Sequence, residues 1–312
     1  MTAKSLTLPT YSSGKNPALI YLESLNSPRS AITMQNCLDH AARILGQPSV
    51  IDCDWGALRC HHIQHVIQKL KAKGIAPATI NLYFYALKGV AREAFSNDVM
   101  PQLAYLKISI MKAITYEWLP VGRSLSAYQC KKLLNTCDDD TLRGIRDKAL
   151  LALMMGCGLR RAEVVALHME HWNSKDSTFT FIGKGNKQRK VYLPPDLEPI
   201  LDKWFLARGN EAGTIFPAIY KGSGAPVMKF KDMQPSSIYR IVQRRAEKAK
   251  IADITPHDLR RTFASRMLEA GVDLFVLKQS MGHASLTTTA RYDRRGEKAT
   301  AKAARCLHFE VE

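Results

Sequence analysis

No apolar run in this chain approaches the roughly 20 residues that a membrane span needs. The longest, residues 149–159, lies between Lys148 and Arg160 and reads as a buried core helix. The N-terminal stretch (MTAKSLTLPTYSSGKNPALI) holds no continuous apolar segment followed by a small-residue cleavage pattern, which argues against a secretory signal and for a cytoplasmic protein. CxxC pairs are absent as well. The seven cysteines (Cys37, Cys53, Cys60, Cys130, Cys137, Cys157 and Cys306) are odd in number and scattered, so they read as reduced thiols packed as small hydrophobes. No GK[ST] follows the glycine-rich stretch GSGAP at 222–226, which is therefore a loop and not a nucleotide cradle. Cys60, His61, His62 and His65 lack a convincing fourth ligand and read as polar positions of an amphipathic helix, so no metal is expected. Acidic residues are scarce, 28 against 45 Lys and Arg, for a net charge of +17. Such an excess points to a polyanionic partner, nucleic acid first and an anionic membrane surface second.

What is present falls into two parts. Residues 27–46, 54–74 and 76–95 each open on a Ser, Asp or Pro start signal and carry apolar residues at three- and four-residue spacing, which predicts a small helical bundle. In the third, Ile80, Phe84, Leu87 and Ala91 mark the buried stripe. Asn81, Tyr85, Lys88 and Arg92 fall off it, as a DNA-facing or a plainly solvated surface would. The pattern fails at KAITYEWLPVGR, just before a capping box at Ser126 and Gln129. The boundary is placed there, giving a helical domain over 1–112, a linker over 113–123 and a second domain over 124–312, both parts net positive.

The second part mixes helix and strand. Alternation over 178–182, a turn at 183–186 and a strand over 189–193 predict a hairpin tipped by Lys184. Residues 236–250 form a basic amphipathic helix whose Arg240, Arg244 and Arg245, off its apolar side, are candidate DNA-binding cations or a plainly solvated face. In residues 254–271, Thr255 is the N-cap, Pro256 the first helical residue, Asp258 completes a capping box and Gly271 is the stop. His257 and Arg260 then share one face of the first turn, where an anion is favoured. Asp273 caps a further short helix ended by Gly282, with His283 directly after it. Ser285 starts another, ending near Tyr292. Arg160 emerges from GCGLRRAE between two buried segments, a costly place for a cation without an anionic partner; Glu163 is the candidate within reach.

The ordered set GLRRAE, GKG, HDLR, MGH and Tyr292 resembles the tyrosine recombinases, the lambda-integrase and Xer-like family of site-specific DNA recombinases, over nearly the whole chain. The resemblance implies a mainly α protein with a small β-sheet, an N-terminal helical core-binding (SAM-like) domain and an α+β catalytic domain, closing as a C-shaped DNA clamp. It also implies catalytic roles by position. Arg160 and Arg260 are the two arginines that clamp the phosphodiester, and Lys184 is the hairpin acid, with Lys187 and Lys190 as fallbacks. His257 manages the phenolic proton, His283 bonds the phosphate oxygens, and Tyr292 is the nucleophile of a 3′-phosphotyrosyl intermediate. Glu163 supports the arginine, no cofactor is called for, and double-stranded DNA with short inverted core sites is the partner. Strand exchange through a Holliday junction in a tetramer, of this chain or with a related recombinase protomer, is implied too, and a nucleoid-associated place in the cytoplasm with it.

The motifs depart from the usual pattern at Arg161, Ala162, Met281 and Arg261, the last standing where histidine is frequent, and at Leu82, where relatives often carry arginine. These affect subfamily, not chemistry. No arm-type domain is expected ahead of the core-binding region, and residues 297–307 are expected to form a helix docking on a neighbouring protomer. Two other functions fit the scaffold: a non-catalytic DNA-binding regulator, and a type IB topoisomerase-like nicking and closing enzyme.

Overall fold

A computed structural model describes residues 7–10, 16–116, 122–183, 187–222 and 226–293. They divide into two compact units, Met1–Trp118 and Leu119–Glu312. The first is helical: α1 (Pro17–Glu23), α2 (Pro28–Ile44), α3 (Cys60–Ala72), α4 (Pro77–Ser96) and α5 (Gln102–Ser109). Proline starts α1, α2 and α4, where its missing N–H costs nothing and its fixed φ suits the first turn. Ser27 caps α2 through the Ser30 amide. The stripe on α4 is buried as its spacing predicts, Ile80, Phe84, Leu87 and Ala91 all being almost or wholly inaccessible. Each large apolar side chain removed from water here contributes about 1.5–3 kcal/mol. Trp55 anchors the other side of this core and donates its indole N–H to the Val50 carbonyl at 2.9 Å.

The expected helix over 54–74 is shorter than its periodicity suggests. A 3-10 turn at Trp55–Ala57 is followed by extended backbone at Leu58 and Arg59, and α3 begins only at Cys60. The Arg59 guanidinium bonds the Gly56 and Leu58 carbonyls at 2.8 Å each, and the His62 ring accepts the Arg59 amide at 3.1 Å. Side chains thus satisfy the backbone that a continuous helix would have satisfied itself. His62 is committed to that cap, and burial pushes its pKa down to about 4.

The second unit packs helices around two small antiparallel sheets. Its elements are α6 (Ala127–Asn135), α7 (Leu142–Gly156), α8 (Arg161–Val165), β1 (Trp172–Asn173), β2 (Thr178–Gly183), β3 (Lys187–Tyr192), α9 (Glu198–Arg208), β4 (Pro217–Lys221), β5 (Pro226–Asp232), α10 (Pro235–Lys248), α11 (Pro256–Glu269), α12 (Leu274–Met281) and α13 (Leu286–Ala290). One sheet runs in the order β1-β2-β3 and the other pairs β4 with β5. In the β2–β3 hairpin Phe181 pairs with Arg189 and Gly183 with Lys187, so the second strand starts two residues before the expected 189. The core is built on α7, whose residues 149–155 are all buried, against Phe179, Trp204, Phe216 and the apolar side of α10. A smaller cluster joins Phe263 and Leu268 of α11 to Leu277 and Met281 of α12 and to Tyr292. Among the described residues no helix is long and apolar enough to cross a membrane.

Candidate active site

The site is assembled where four chain breaks converge in the second unit. At the end of α7 the chain turns through Gly158 at φ +60° and enters α8 with Arg160 as its N-cap. A Cβ on Gly158 would collide with the Phe263 ring of α11, so the turn needs glycine for its backbone and for its space. Gly282, left-handed at φ +60° and ψ +47°, ends α12 and releases His283. α11 presents His257 and Arg260 from its first turn, and Tyr292 follows α13.

Glu163 is the hub. Its buried carboxylate accepts the Arg160 amide at 2.8 Å and the Arg160 guanidinium at 2.5 Å, takes Nη1 of Arg189 at 2.9 Å, and lies 3.8 Å from Nη1 of Arg260. Burial alone would raise its pKa; Arg189, the Arg160 amide, and the charges of Arg160 and Arg260 outweigh it and hold the carboxyl below its usual range. Three guanidiniums thus face one carboxylate, leaving positive charge uncompensated in a low-dielectric place. Arg260 is 1% exposed and donates to the Gly158 carbonyl and, at 2.5 Å, to that of Met281. Burial and then Arg160 push its pKa down to about 10. Arg160 is the partly exposed member and reaches the Gly282 carbonyl at 3.3 Å.

His283 is fixed in one tautomer. Arginine only donates, so the 3.0 Å contact with Nη2 of Arg260 makes Nε2 of His283 an acceptor, and Nδ1–H donates to the buried Thr289 hydroxyl at 2.9 Å. Burial first, then Arg260 and Arg160, push its pKa down to about 4, so the ring is neutral at physiological pH. Its plane stacks on Tyr292, centroids 5.7 Å apart and 15° from parallel. Tyr292 is itself buried, and its hydroxyl lies 3.3 Å from Nε2 of His257. His257 is lowered too, by burial first and then by Arg261 and Arg260. A cleft of about 1160 Å³ opens beside this cluster, lined by Arg160, Glu163, Arg189, Lys190 and His283 among others. Arg260, His257 and Tyr292 are not on its wall.

Five of the six expected catalytic side chains therefore converge, with Glu163 between the arginines. Lys184 and the expected helix at 297–307 lie outside the described residues. Lys190 lies 3.8 Å from Asp176 and 5.4 Å from the Tyr192 ring centre. Sequence reasoning missed Arg189. It donates through Nε to the Ser280 carbonyl at 2.9 Å as well as to Glu163, tying β3 to α12 and to the hub. The signal was there: alternation along β3 puts Arg189 on the same side as the buried Val191 and Leu193, and a cation on an apolar face needs a buried anion.

The expected DNA-facing residues separate by what they touch. Asn81 exchanges two hydrogen bonds with the backbone of Ile114, at 3.0 and 2.9 Å, and Lys88 donates to the Ser109 and Met111 carbonyls, so both fasten α4 to the end of α5 and the segment after it. Arg245 is 2% exposed and is committed to Asp147, Asp139 and the Thr136 carbonyl. These three hold the fold. Tyr85 and Arg92 are exposed, Arg92 beside Glu93. Arg240 and Arg244 are also exposed on α10, with Arg244 paired to Asp147 at 2.9 Å.

The fold that carries this cluster of tyrosine, histidines and arginines is that of a tyrosine recombinase. The chain belongs to the phage integrase family, whose sequence model matches residues 123–298, and it is a site-specific recombinase enzyme. It is 29% identical to the tyrosine recombinase XerC of Chromohalobacter salexigens over 277 residues, 88% of this chain and 89% of that one. With the tyrosine recombinase XerA of Pyrococcus furiosus it shares 31% identity over 229 residues, 73% of each chain. Its fold resembles that of a lambda integrase dimer bound to a COC′ core site, with a TM-score of 0.68 at 16% identity, covering 95% of this chain and 96% of the other.

Proposed function

We propose that this recombinase cuts and rejoins double-stranded DNA with Tyr292 as its nucleophile. The observation that carries the reading is the 3.3 Å pairing of the Tyr292 hydroxyl with Nε2 of His257 beside the arginine cluster. A neutral imidazole takes the phenolic proton as the oxygen attacks phosphorus. The P–O5′ bond breaks, and its energy is kept in a 3′-phosphotyrosyl link for religation. Arg160 and Arg260 face the charge that grows on the non-bridging oxygens, as two guanidinium forks suit a phosphate. His283 has no proton on Nε2 in the resting arrangement. A bound phosphate raises its pKa, so protonation then turns it into a donor. Lys184, which the sequence places between the paired residues Gly183 and Lys187, supplies the proton to the leaving 5′-oxygen, with Lys190 on the cleft wall as the alternative.

The net charge of +17 and the exposed cations of α4 and α10 support DNA as the partner, as does the DNA-bound state of the lambda integrase homologue. In the full reaction four protomers pair two inverted core sites, and the freed 5′-hydroxyls attack across the synapse to form and resolve a Holliday junction. The test is a nicked library of the source organism's DNA incubated with the protein in EDTA. An SDS-resistant protein–DNA adduct is expected, absent from Tyr292→Phe, and sequencing the trapped DNA supplies the target site. DNA binding without any adduct would overturn the reading.

A further inference from the structure

Arg261, the neighbour of Arg260 on α11, takes no part in the Glu163 hub. It lies one helical turn from His257, so the two share a face, and that face meets Tyr292. Its guanidinium carbon sits 5.4 Å from the centre of the Tyr292 ring, within cation–π range. Its Nε is buried without a hydrogen-bond partner, and no carboxylate among the described residues lies within ion-pair reach of it. A desolvated donor left unpaired is costly. The Asp258 carboxylate lies beside this Nε without bonding it, and the π face of Tyr292 is the contact that the half-buried guanidinium makes.

We propose that Arg261 is a positioning residue for strand cleavage, holding the Tyr292 ring against His257 and favouring transfer of its phenolic proton. The proposal rests on Tyr292 being the nucleophile. As the O–H bond breaks, the proton passes to Nε2 of His257, and the electron pair left on oxygen makes the bond to phosphorus while the P–O5′ bond breaks. A cation over the ring interacts more strongly with the electron-rich phenolate than with the phenol, so its attraction grows along that path. The same charge acts on the acceptor. His257 is lowered by burial first, then by Arg261, Arg260 and Arg160, with Asp258 opposing, and the charge of Arg261 thereby helps keep the imidazole free of a proton until Tyr292 delivers one. His283, the other aromatic contact of Tyr292, stacks on its ring and is neutral at physiological pH.

The test compares Arg261→Gln and Arg261→Lys in the full chain by two readouts. Without DNA, the His257 ring protons are titrated by NMR, assigned by their loss in His257→Gln. With nicked DNA, the rate of adduct formation is measured in a single turnover. Removing the charge is expected to move the His257 midpoint upward and slow adduct formation by about tenfold, while Arg261→Lys restores most of both. Should Arg261→Gln fail to fold, Arg261→Met, which keeps the apolar stem and carries no charge at any pH, serves as the uncharged variant. An unmoved midpoint, or an uncharged variant that forms adduct at the wild-type rate, overturns the proposal. If wild type forms no adduct at all, the reading of Tyr292 falls, and the NMR midpoint still decides whether Arg261 acts on His257.

Discussion

One carboxylate, Glu163, receives Arg160 and Arg189 directly and has Arg260 at 3.8 Å. Replacing it by glutamine leaves Arg189 and Arg260 buried, and Arg160 partly exposed, with like charges only, and breaking such an arrangement from one side costs about 3–5 kcal/mol. Glu163→Gln is expected to show that loss in urea unfolding near neutral pH, partly recovered by adding sulfate or a short oligonucleotide, whose anion takes the empty place. The pH dependence has a definite sign. Because the folded protein holds this carboxyl below its ordinary value, its contribution is complete above the usual carboxylate range and is lost as the pH falls through the lowered one. Unfolding followed from about pH 7 down to about pH 3 will therefore steepen in wild type and be flatter in Glu163→Gln; equal slopes would show that Glu163 is not the anion holding the cluster. At this scale the sequence was legible where a local rule marked the residue. Arg160 and Glu163 stand three apart at a helix start, and the structure joins them. Arg189 is far from both in sequence; strand alternation marks it as inward-facing, but only the tertiary fold reveals that Glu163 is the carboxylate it meets.

Element boundaries were legible wherever a proline or a capping side chain wrote them. Thr255, Pro256 and Asp258 start α11 as expected, with Asp258 accepting both the Thr255 amide and hydroxyl, and Ser126 with Gln129 starts α6. The false continuation before Cys60 has the opposite cause: Arg59 and His62 make the caps there, and neither belongs to the usual capping set. The break between α7 and α8 carries a prediction of its own. Gly158 holds a left-handed backbone, lends its carbonyl to Arg260 and touches the Phe263 ring. Gly158→Ala adds about 1–2 kcal/mol of backbone strain and drives a methyl into that ring. It should lower the unfolding temperature and slow adduct formation together, since α7 and α11 must part to admit the methyl. A variant as stable and as fast as wild type would mean that the turn does not set the arginine's place.

Over the whole molecule, the excess of basic residues is plain from composition alone, whereas the way those charges are spent depends on tertiary packing. Helix periodicity alone places Asn81, Lys88 and Arg245 off the apolar stripes, with the same standing as Arg92 and Arg240. The fold then commits the first three to internal bonds, because a polar residue off one helix's stripe can face a neighbouring segment instead of water. This division predicts two different phenotypes within α10. Arg240→Ala removes an exposed cation whose guanidinium is held by nothing stronger than the Ser237 hydroxyl at 3.3 Å. If it meets a phosphate, DNA binding weakens alike on all sequences, and the slope of log affinity against log salt falls by about one, with stability kept. Arg245→Met instead leaves Asp147 and Asp139 short of a buried partner. Unfolding should come several degrees lower while the salt slope of the folded fraction stays at the wild-type value. Binding isotherms at a series of salt concentrations, paired with thermal unfolding, separate the two. A salt slope lowered by Arg245→Met would place that guanidinium at the DNA and require the Asp147 network to open on binding.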